Sequence, residues 1–151
     1  MHSLKNYKLI LASASPRRQQ LMADAGFTFE IRDGKEFEEK YPQEMNLEEV
    51  PEYLSKMKAS FFQAELQQNE ILITADTVVC IHDRILGKPA NRNEAIQMLH
   101  ELSGNRHQVI TGVSITTCKE QLSFSSRTNV FFKPLLDQEI EFYVDFYKPY
   151  D

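Results

Sequence analysis

Apolar residues recur along the 151-residue chain in short runs and at helical spacing, which predicts alternating strands and helices. The run at 9–12 is short and wholly apolar, as in a buried strand. A helix start follows at once, because Ser15 can accept hydrogen bonds from the first helical amides and Pro16 suits the first helical position. Gly26 can end this helix. Its predicted inward-facing stripe consists of Leu21, Met22 and Ala25.

The rest of the chain continues this alternation. The predicted elements are, in order, a strand at 27–31, an acidic loop at 36–52, a helix with the apolar stripe Leu54, Met57, Phe61 and Ala64, a buried strand at 71–75, a hairpin from 78–81 through 82–84, a helix between Asn91 and Gly104, two long strands at 108–118 and 122–133, and a helix from Asp137. Helices between the early strands, followed by consecutive strands, favour the α/β class with a mixed sheet.

Length and composition favour a single globular domain spanning 1–151. Hydrophobic residues make up 42% of the chain and charged residues 26%, an ordinary balance for a water-soluble protein. We expect a cytoplasmic protein without a membrane partner, because no stretch could span a bilayer and residues 1–6 lack a signal-peptide pattern. Cys80 and Cys118 lie far apart in apolar runs, which predicts free, buried thiols.

The net charge of −5 argues against a protein that coats nucleic acid, because such proteins normally present a basic face. A pocket for a triphosphate needs only a few local cations, so mild overall acidity is compatible with one. The sequence contains no Walker loop, no GxGxxG and no GxSxG. Phosphate binding would therefore depend on basic side chains and one helix N-terminus.

The segment 13–18, with the sequence SASPRR, combines a tight turn, a helix start and two arginines. Free amides and the positive end of the helix dipole favour an anion there. Arg17 and Arg18 supply forked donors that match phosphate oxygens, and Ser13 adds a hydroxyl. The alternative is a plain helix start at which Ser15 is only the cap and both arginines face solvent.

Asp76 follows the apolar run 71–75, where a buried strand is predicted to emerge from the sheet. Ligands of α/β proteins gather at the carboxyl ends of strands, and a carboxylate there can bind a metal ion or activate water. The alternative is a carboxylate that starts a turn.

Four further features are candidates with a strong structural alternative. Lys58 borders the apolar stripe of its helix, where lysines usually extend to solvent, and Lys88 lies in a predicted turn. His107 opens a strand and is expected to be a structural, hydrogen-bonding residue. The glutamates between 36 and 39 could help to hold a divalent cation, with a solvated run of charge as the alternative.

Several sequence blocks together point to one known family. They are LILASASPRR at 9–18, KA at 58–59, ADTVV at 75–79, GKP at 87–89, ML at 98–99 with LSG at 102–104, and HQVITGV at 107–113. With these blocks, in this order, the chain closely resembles the Maf family, described as septum-formation-inhibitor proteins and nucleotide pyrophosphatases. The opening block is specific, and such an ordered set is hard to obtain by chance.

The resemblance implies a Maf/ITPase-like fold, in which a mixed twisted sheet is flanked by helices and a cleft lies between two lobes. It also implies a cytoplasmic enzyme that cleaves a nucleoside triphosphate between its α- and β-phosphates. The products would be the monophosphate and pyrophosphate, and Mg²⁺ or Mn²⁺ would be required. Family members commonly pair as dimers, which implies a homodimer.

Matching the family's motifs assigns substrate contacts to five residues of this chain. Ser13, Arg17 and Arg18 would contact the triphosphate. Lys58 and Lys88 would neutralise further charge.

The resemblance also assigns the chemistry and the choice of base. Asp76 would act as the general base, or would orient the metal ion and the attacking water. Glu38 is a further candidate metal ligand. Arg18 in the opening block and Thr77 after the aspartate look like the branch that prefers dTTP and UTP, whereas the branch that prefers 7-methyl-GTP carries glutamine after the aspartate.

The resemblance ends at 148–151, where family members continue with a further strand and helix that supply another lysine and a glutamine to the site. It implies a chain shortened at its C-terminus, with impaired activity if Asp151 is the true end. The main alternative function is a nucleotide-binding regulator of cell division with little or no turnover. A nucleic-acid-binding module is disfavoured by the acidic charge and by the lack of a basic strand studded with aromatic residues.

Overall fold

The computed structural model describes residues 6–32 and 37–149, so Glu36 and Asp151 lie outside the described residues. The elements are β1 (Lys8–Leu11), α1 (Pro16–Asp24), β2 (Glu30–Ile31), α2 (Val50–Gln63), β3 (Glu70–Ile81), β4 (Arg84–Leu86), α3 (Arg92–Leu102), β5 (Arg106–Thr116), β6 (Gln121–Phe131) and α4 (Asp137–Tyr147). This order confirms the predicted α/β class, although β2 is shorter than the predicted strand.

The described strands form a mixed sheet in the order β2-β1-β3-β5-β6, with β4 beside β3. β1 pairs in parallel with β2 on one side and with β3 on the other. Its register on β3 sets Lys8 opposite Glu70 and Leu11 opposite Ile73. β1 is therefore an inner strand, which explains why its sequence is an uninterrupted apolar run.

The hairpin predicted after the buried strand is confirmed, but the strand before it is longer than predicted. β3 runs unbroken for 12 residues and joins the two predicted pieces. β4 returns antiparallel to it, with Val79 opposite Leu86. His82 and Asp83 make the turn with positive φ angles of 50° and 60°, the conformation that tight hairpins require.

A cluster of buried apolar side chains from β1, α2 and β3 forms a core on one face of the sheet. Ile10 of β1 and Leu72 of β3 are fully buried, and Phe62 of α2 packs with them. Burying each such side chain contributes about 1.5–3 kcal/mol relative to an exposed position. This core fixes α2 against the two strands that carry the candidate site.

The predicted inward stripe of α2 is only partly right. Phe61 was expected inside and is 44% exposed, whereas its neighbour Phe62 is buried. Both phenylalanines lie at helical spacing from Leu54. The apolar pattern is therefore compatible with burial of either one. The buried residues of this helix are Val50, Pro51, Leu54, Ser55, Ala59 and Phe62.

The start of α1 is as predicted, but the prediction that its apolar residues face inward is wrong. Ser15 caps the helix, Pro16 occupies its first position and Gly26 follows with a φ of 88°. Leu21 is 62% exposed, and none of the helix's residues is buried. With four polar residues directly after Pro16, the apolar side is too narrow to bury.

Polar and steric contacts hold the first turn of α2 close to β5. At Gly112 of β5 an added Cβ would collide with the backbone of residues 51–52, so only glycine fits this approach. Ser55 Oγ lies 2.6 Å from Ser114 Oγ, and the Thr74 hydroxyl donates to the Ser55 carbonyl at 2.7 Å. These contacts set the position of α2, and therefore of Lys58 one turn further on.

The chain divides into two compact units, of which Met1–Thr77 with Thr111–Ser126 is the first and Val78–Ile110 with Arg127–Asp151 the second. The single domain and the cleft between lobes stay predictions. In the second unit α3 and α4 pack together, and the Asn91 side chain caps α3 by accepting from the Glu94 amide at 3.0 Å.

Both cysteines of the chain are free; Cys80 is buried as predicted, whereas Cys118 is only half-buried. Among the described residues, no helix is long and apolar enough to cross a membrane. The cytoplasm as compartment stays a prediction.

Candidate phosphate-binding site

The segment 13–18 forms the turn from β1 into α1, and its own hydrogen bonds hold it in place. Ser13 is buried, and its hydroxyl accepts from the Ser15 amide at 3.1 Å. The Ser15 hydroxyl accepts from the Arg18 amide at 3.4 Å, and Gln19 Nε2 donates to the Ser13 carbonyl at 3.0 Å. The predicted helix start at the end of a buried strand is therefore present. Its use for an anion is a proposal.

Two cationic side chains converge on the carbonyl oxygen of Ala75 in β3. Arg18 donates to this oxygen through Nη1 at 3.0 Å, and Lys58 donates to it through Nζ at 3.0 Å. Because the same peptide bond joins Ala75 to Asp76, both cations lie beside the backbone of the candidate aspartate. An anionic ligand bound beside these side chains would be stabilised by both positive charges.

Asp76 is buried, with 7% of its surface exposed, although it lies within β3 and not at its end as predicted. The prediction failed because the polar Asp76 and Thr77 interrupt the apolar pattern without ending the strand. The pairing of β1 with β3, however, stops at Leu11 and Ile73. Asp76 therefore stands just beyond the carboxyl end of β1, the edge at which ligands of parallel sheets gather.

Two threonine hydroxyl groups continue the hydrogen bonding that begins at Arg18. Its Nη2 donates to Thr77 Oγ1 at 3.1 Å, and that oxygen lies 2.9 Å from Thr111 Oγ1 on β5. Thr77 is exposed and Thr111 is half-buried, so the pair is accessible to a ligand. Arg18 thus links α1 to both the backbone and the side chains of the neighbouring strands.

The Lys58 side chain extends from α2 to the Ala75 carbonyl and passes the ring of Phe37. Its Nζ lies 5.7 Å from the centre of the Phe37 ring, within the range of a cation–π interaction. The Phe37 ring in turn lies 5.6 Å from that of Phe61. Lys58 is therefore held on two sides, unlike a surface lysine that extends into solvent.

The three remaining predicted site residues have exposed side chains. Arg17 and Lys88 are exposed, the first on α1 and the second in the loop after β4, within the second unit. Glu38 is exposed and forms an ion pair with Lys40 at 2.7 Å. The roles assigned to these three side chains stay predictions.

The grouping of possible metal ligands over the described residues bears on cation binding. Within residues 6–32 and 37–149, no three His, Cys, Asp or Glu side chains are grouped to hold a metal ion. A role for Asp76 and Glu38 in metal binding stays a prediction. A cation bound here would complete its coordination with water molecules and substrate phosphates.

His107 is buried, as expected of a structural residue, but within the described part of the chain one of its ring nitrogens lacks the expected hydrogen bond. It is 6% exposed, and its Nδ1 is buried without a hydrogen-bond partner among the described residues. The imidazole meets the Phe132 ring edge-on at 5.0 Å between centres. Burial lowers the pKa of this histidine, because the charged form is poorly solvated.

Sequence reasoning missed two contributors to the site. One is the Ala75 carbonyl, which no residue-type pattern reveals because every residue has one. The other is Thr111, which lies in the block 107–113 but was given no role there. The available signal was its place in a predicted strand within a family motif, next to a glycine.

Comparison with solved structures agrees with the observed architecture. The chain resembles the HAM1 protein of Coxiella burnetii, with a TM-score of 0.52 and 17% identity over 83% of this chain and 72% of that one. It also resembles the Ham1 protein of Staphylococcus aureus, with a TM-score of 0.53 and 15% identity over 82% and 71% of the two chains. These likenesses confirm the predicted mixed α/β fold.

Similarity in sequence identifies the family of this chain, which similarity in fold does not. The family model described as Maf-like protein matches residues 8–151, so the chain belongs to the Maf family. It is 46% identical over 151 residues to the dTTP/UTP pyrophosphatase of Parabacteroides distasonis, covering 100% of this chain and 78% of that protein. The dTTP/UTP pyrophosphatase of Flavobacterium johnsoniae is 46% identical over 148 residues, or 98% and 76% of the two chains.

Proposed function

We propose that this chain is a nucleoside triphosphate pyrophosphatase that hydrolyses dTTP and UTP to the monophosphate and pyrophosphate. The observation that carries the proposal is the convergence of Arg18 and Lys58 on the Ala75 carbonyl, beside the buried Asp76. Two cations and a carboxylate are the groups that phosphoanhydride hydrolysis needs. The names of the two relatives support the same reaction.

In this proposal the start of α1 and the basic side chains bind the triphosphate. The segment 13–18 offers the positive end of a helix. Arg17 and Arg18 supply forked donors, while Lys58 and Lys88 neutralise charge as ammonium groups. Little covalent chemistry is required of the protein, so positioning and charge neutralisation provide most of the rate enhancement.

Asp76 has the catalytic role in the proposed reaction. Its carboxylate accepts a proton from a water molecule as the water oxygen bonds to the α-phosphorus. The bond between that phosphorus and the bridging oxygen breaks, and pyrophosphate leaves with the electron pair. General-base catalysis of this kind contributes about 10²–10⁴-fold to a rate.

A divalent cation fits this inventory of side chains. Mg²⁺ is usually held by one or two carboxylates together with substrate phosphates, not by an all-protein cage. Asp76 would supply one carboxylate, and Glu38 is a candidate for a second. When bound, Mg²⁺ or Mn²⁺ would neutralise the charge that develops on the phosphate oxygens.

The preference for pyrimidine nucleotides rests on Arg18 and Thr77. The two side chains are hydrogen-bonded to each other at 3.1 Å, so the motif features that suggested this branch act as one unit. Dimer formation and a cytoplasmic location complete the proposal.

The test is a panel of nucleoside triphosphates assayed for pyrophosphate with Mg²⁺ or Mn²⁺. We expect release from dTTP and UTP above the other nucleotides, and a loss of at least about 100-fold in Asp76→Asn. Asp24→Asn, which removes an exposed carboxylate at the end of α1, should keep full activity.

Two results would count against the proposal. Equal turnover by Asp76→Asn would remove Asp76 from the mechanism. Binding of dTTP without pyrophosphate release would instead support a nucleotide-binding regulator of cell division.

A further inference from the structure

The hydroxyl pair formed by Thr77 and Thr111 goes beyond what phosphate binding requires. We propose that Thr111 is a positioning residue, which orients the Thr77 hydroxyl so that the pair donates a hydrogen bond to a ring carbonyl of a pyrimidine base. The inference deepens the proposed function, since it assumes that a pyrimidine triphosphate occupies this site. Its basis is the contact between the two hydroxyl oxygens at 2.9 Å and the bond from Arg18 to one of them at 3.1 Å.

Counting donors and acceptors shows what the pair offers. A threonine hydroxyl has one hydrogen and two lone pairs, and Arg18 already occupies one lone pair of Thr77. If Thr111 donates to Thr77, both Thr77 lone pairs are used and its hydrogen is directed elsewhere. If Thr77 donates to Thr111, the hydrogen of Thr111 remains. In both arrangements one O–H donor is left over for a ligand.

The remaining donor is neutral, which suits a base better than a phosphate. Arg18 and Lys58 supply positive charge at the Ala75 carbonyl, and charge is what recognition of a polyanion needs. A hydroxyl adds no charge, but it can donate a hydrogen bond to a carbonyl oxygen of a base. Thymine and uracil carry two such carbonyl groups, whereas tripolyphosphate carries no base.

A purely structural role accounts poorly for the pair. β3 and β5 are neighbours in the sheet, so their backbones are already hydrogen-bonded without these side chains. Thr77 is exposed, and a cross-strand threonine pair at such a position contributes little to stability. The hydroxyl that Arg18 holds in place is therefore better explained by a ligand.

Removing one hydroxyl should affect binding of the base alone. In Thr111→Val, valine keeps the shape of the Thr111 side chain but removes its hydroxyl group. The Thr77 hydroxyl then has no second partner, and its hydrogen is no longer held in one direction. A site built to hydrogen-bond a ligand loses affinity when that donor is no longer presented. We expect dTTP binding to weaken about 10-fold while tripolyphosphate binding stays the same.

The experiment measures dissociation constants by calorimetry for tripolyphosphate and for the α,β-methylene analogue of dTTP, which resists cleavage at that bond. The quantity compared in each protein is the dissociation constant of tripolyphosphate divided by that of the analogue. Thr111→Ser keeps the hydroxyl and should retain the wild-type ratio. Thr128→Val removes an exposed strand threonine elsewhere and should also retain it.

Each outcome decides the question. A ratio that falls only in Thr111→Val supports the inference. An unchanged ratio in Thr111→Val, whether neither ligand or both ligands bind more weakly, would overturn it. A wild type that binds the analogue no better than tripolyphosphate would also overturn it. Pyrophosphate release from dTTP by the wild type is assayed alongside, so failure of the proposed function is seen independently of this ratio.

Discussion

Arg18 and Lys58 come from different helices, yet they share a single backbone acceptor in β3. Both side chains are cationic, and the buried Asp76 follows Ala75 directly in the chain. A polyphosphate bound beside them would be stabilised by two positive charges. At the scale of single residues, this is the strongest indication of function in the molecule.

Replacing Lys58 by methionine tests this interpretation. Lys58→Met keeps the length of the side chain but removes its charge, so we expect KM for dTTP to rise about 10-fold or more. Lys56, two residues earlier on the same helix, is exposed and serves as the matched control. Steady-state kinetics of Lys58→Met and Lys56→Met should separate the two, and equal KM values in both variants would contradict the assigned role.

Some site residues could be predicted from sequence because their chemistry is local. In the segment 13–18, Ser15 and Pro16 predict the start of a helix, because capping depends only on neighbouring residues. The hydroxyl network could not be predicted, because Thr77 and Thr111 meet only once β3 and β5 are neighbours. Pairing between strands distant in sequence is not encoded in any local pattern.

At the scale of elements, the position of α2 depends on one close approach. Gly112 of β5 lies so near the backbone of residues 51–52 that a methyl group has no room. This contact sets the start of α2, and Lys58 follows on the same helix. The glycine is therefore coupled to the site through the helix that carries the lysine.

Gly112→Ala should consequently destabilise the protein. We expect the free energy of unfolding to fall by about 1–3 kcal/mol, because backbone on both sides must shift to admit the Cβ. Gly87→Ala provides the control, since a Cβ there meets nothing within 4 Å. Urea denaturation measures both variants, and an equal, negligible change in the two would refute the steric argument.

Elements were predicted well where one pattern dominates and poorly where two patterns compete. The hairpin at His82 and Asp83 was predicted because a polar turn separates two apolar runs. The inward face of α2 was not, since Phe61 and Phe62 are equally apolar and only the strand packing decides between them. Tertiary contacts, not helix periodicity, select the buried one.

At the scale of the whole molecule, the buried imidazole of His107 makes stability depend on pH. Burial lowers the pKa of His107 below the ordinary value of 6.5. Above that value the histidine is neutral in both states and has no effect. As the pH falls below it, the unfolded chain binds a proton that the folded chain does not, so the free energy of unfolding falls until the pH has passed the folded-state pKa.

His107→Gln should flatten this dependence. Denaturation midpoints measured between about pH 7.5 and pH 5 should fall less in His107→Gln than in the wild type. His82→Asn removes an exposed histidine from the β3–β4 turn and should behave as the wild type does. A wild-type slope in His107→Gln would mean that other groups cause the pH dependence.

In the proposed reaction, water attacks the α-phosphorus of dTTP at the site formed by Arg18, Lys58 and Asp76. Hydrolysis in water labelled with ¹⁸O, followed by mass spectrometry of the products, shows which phosphorus is attacked. We expect dTMP carrying one ¹⁸O atom together with unlabelled pyrophosphate. Formation of dTDP and inorganic phosphate, or ¹⁸O in the pyrophosphate, would contradict the proposed reaction.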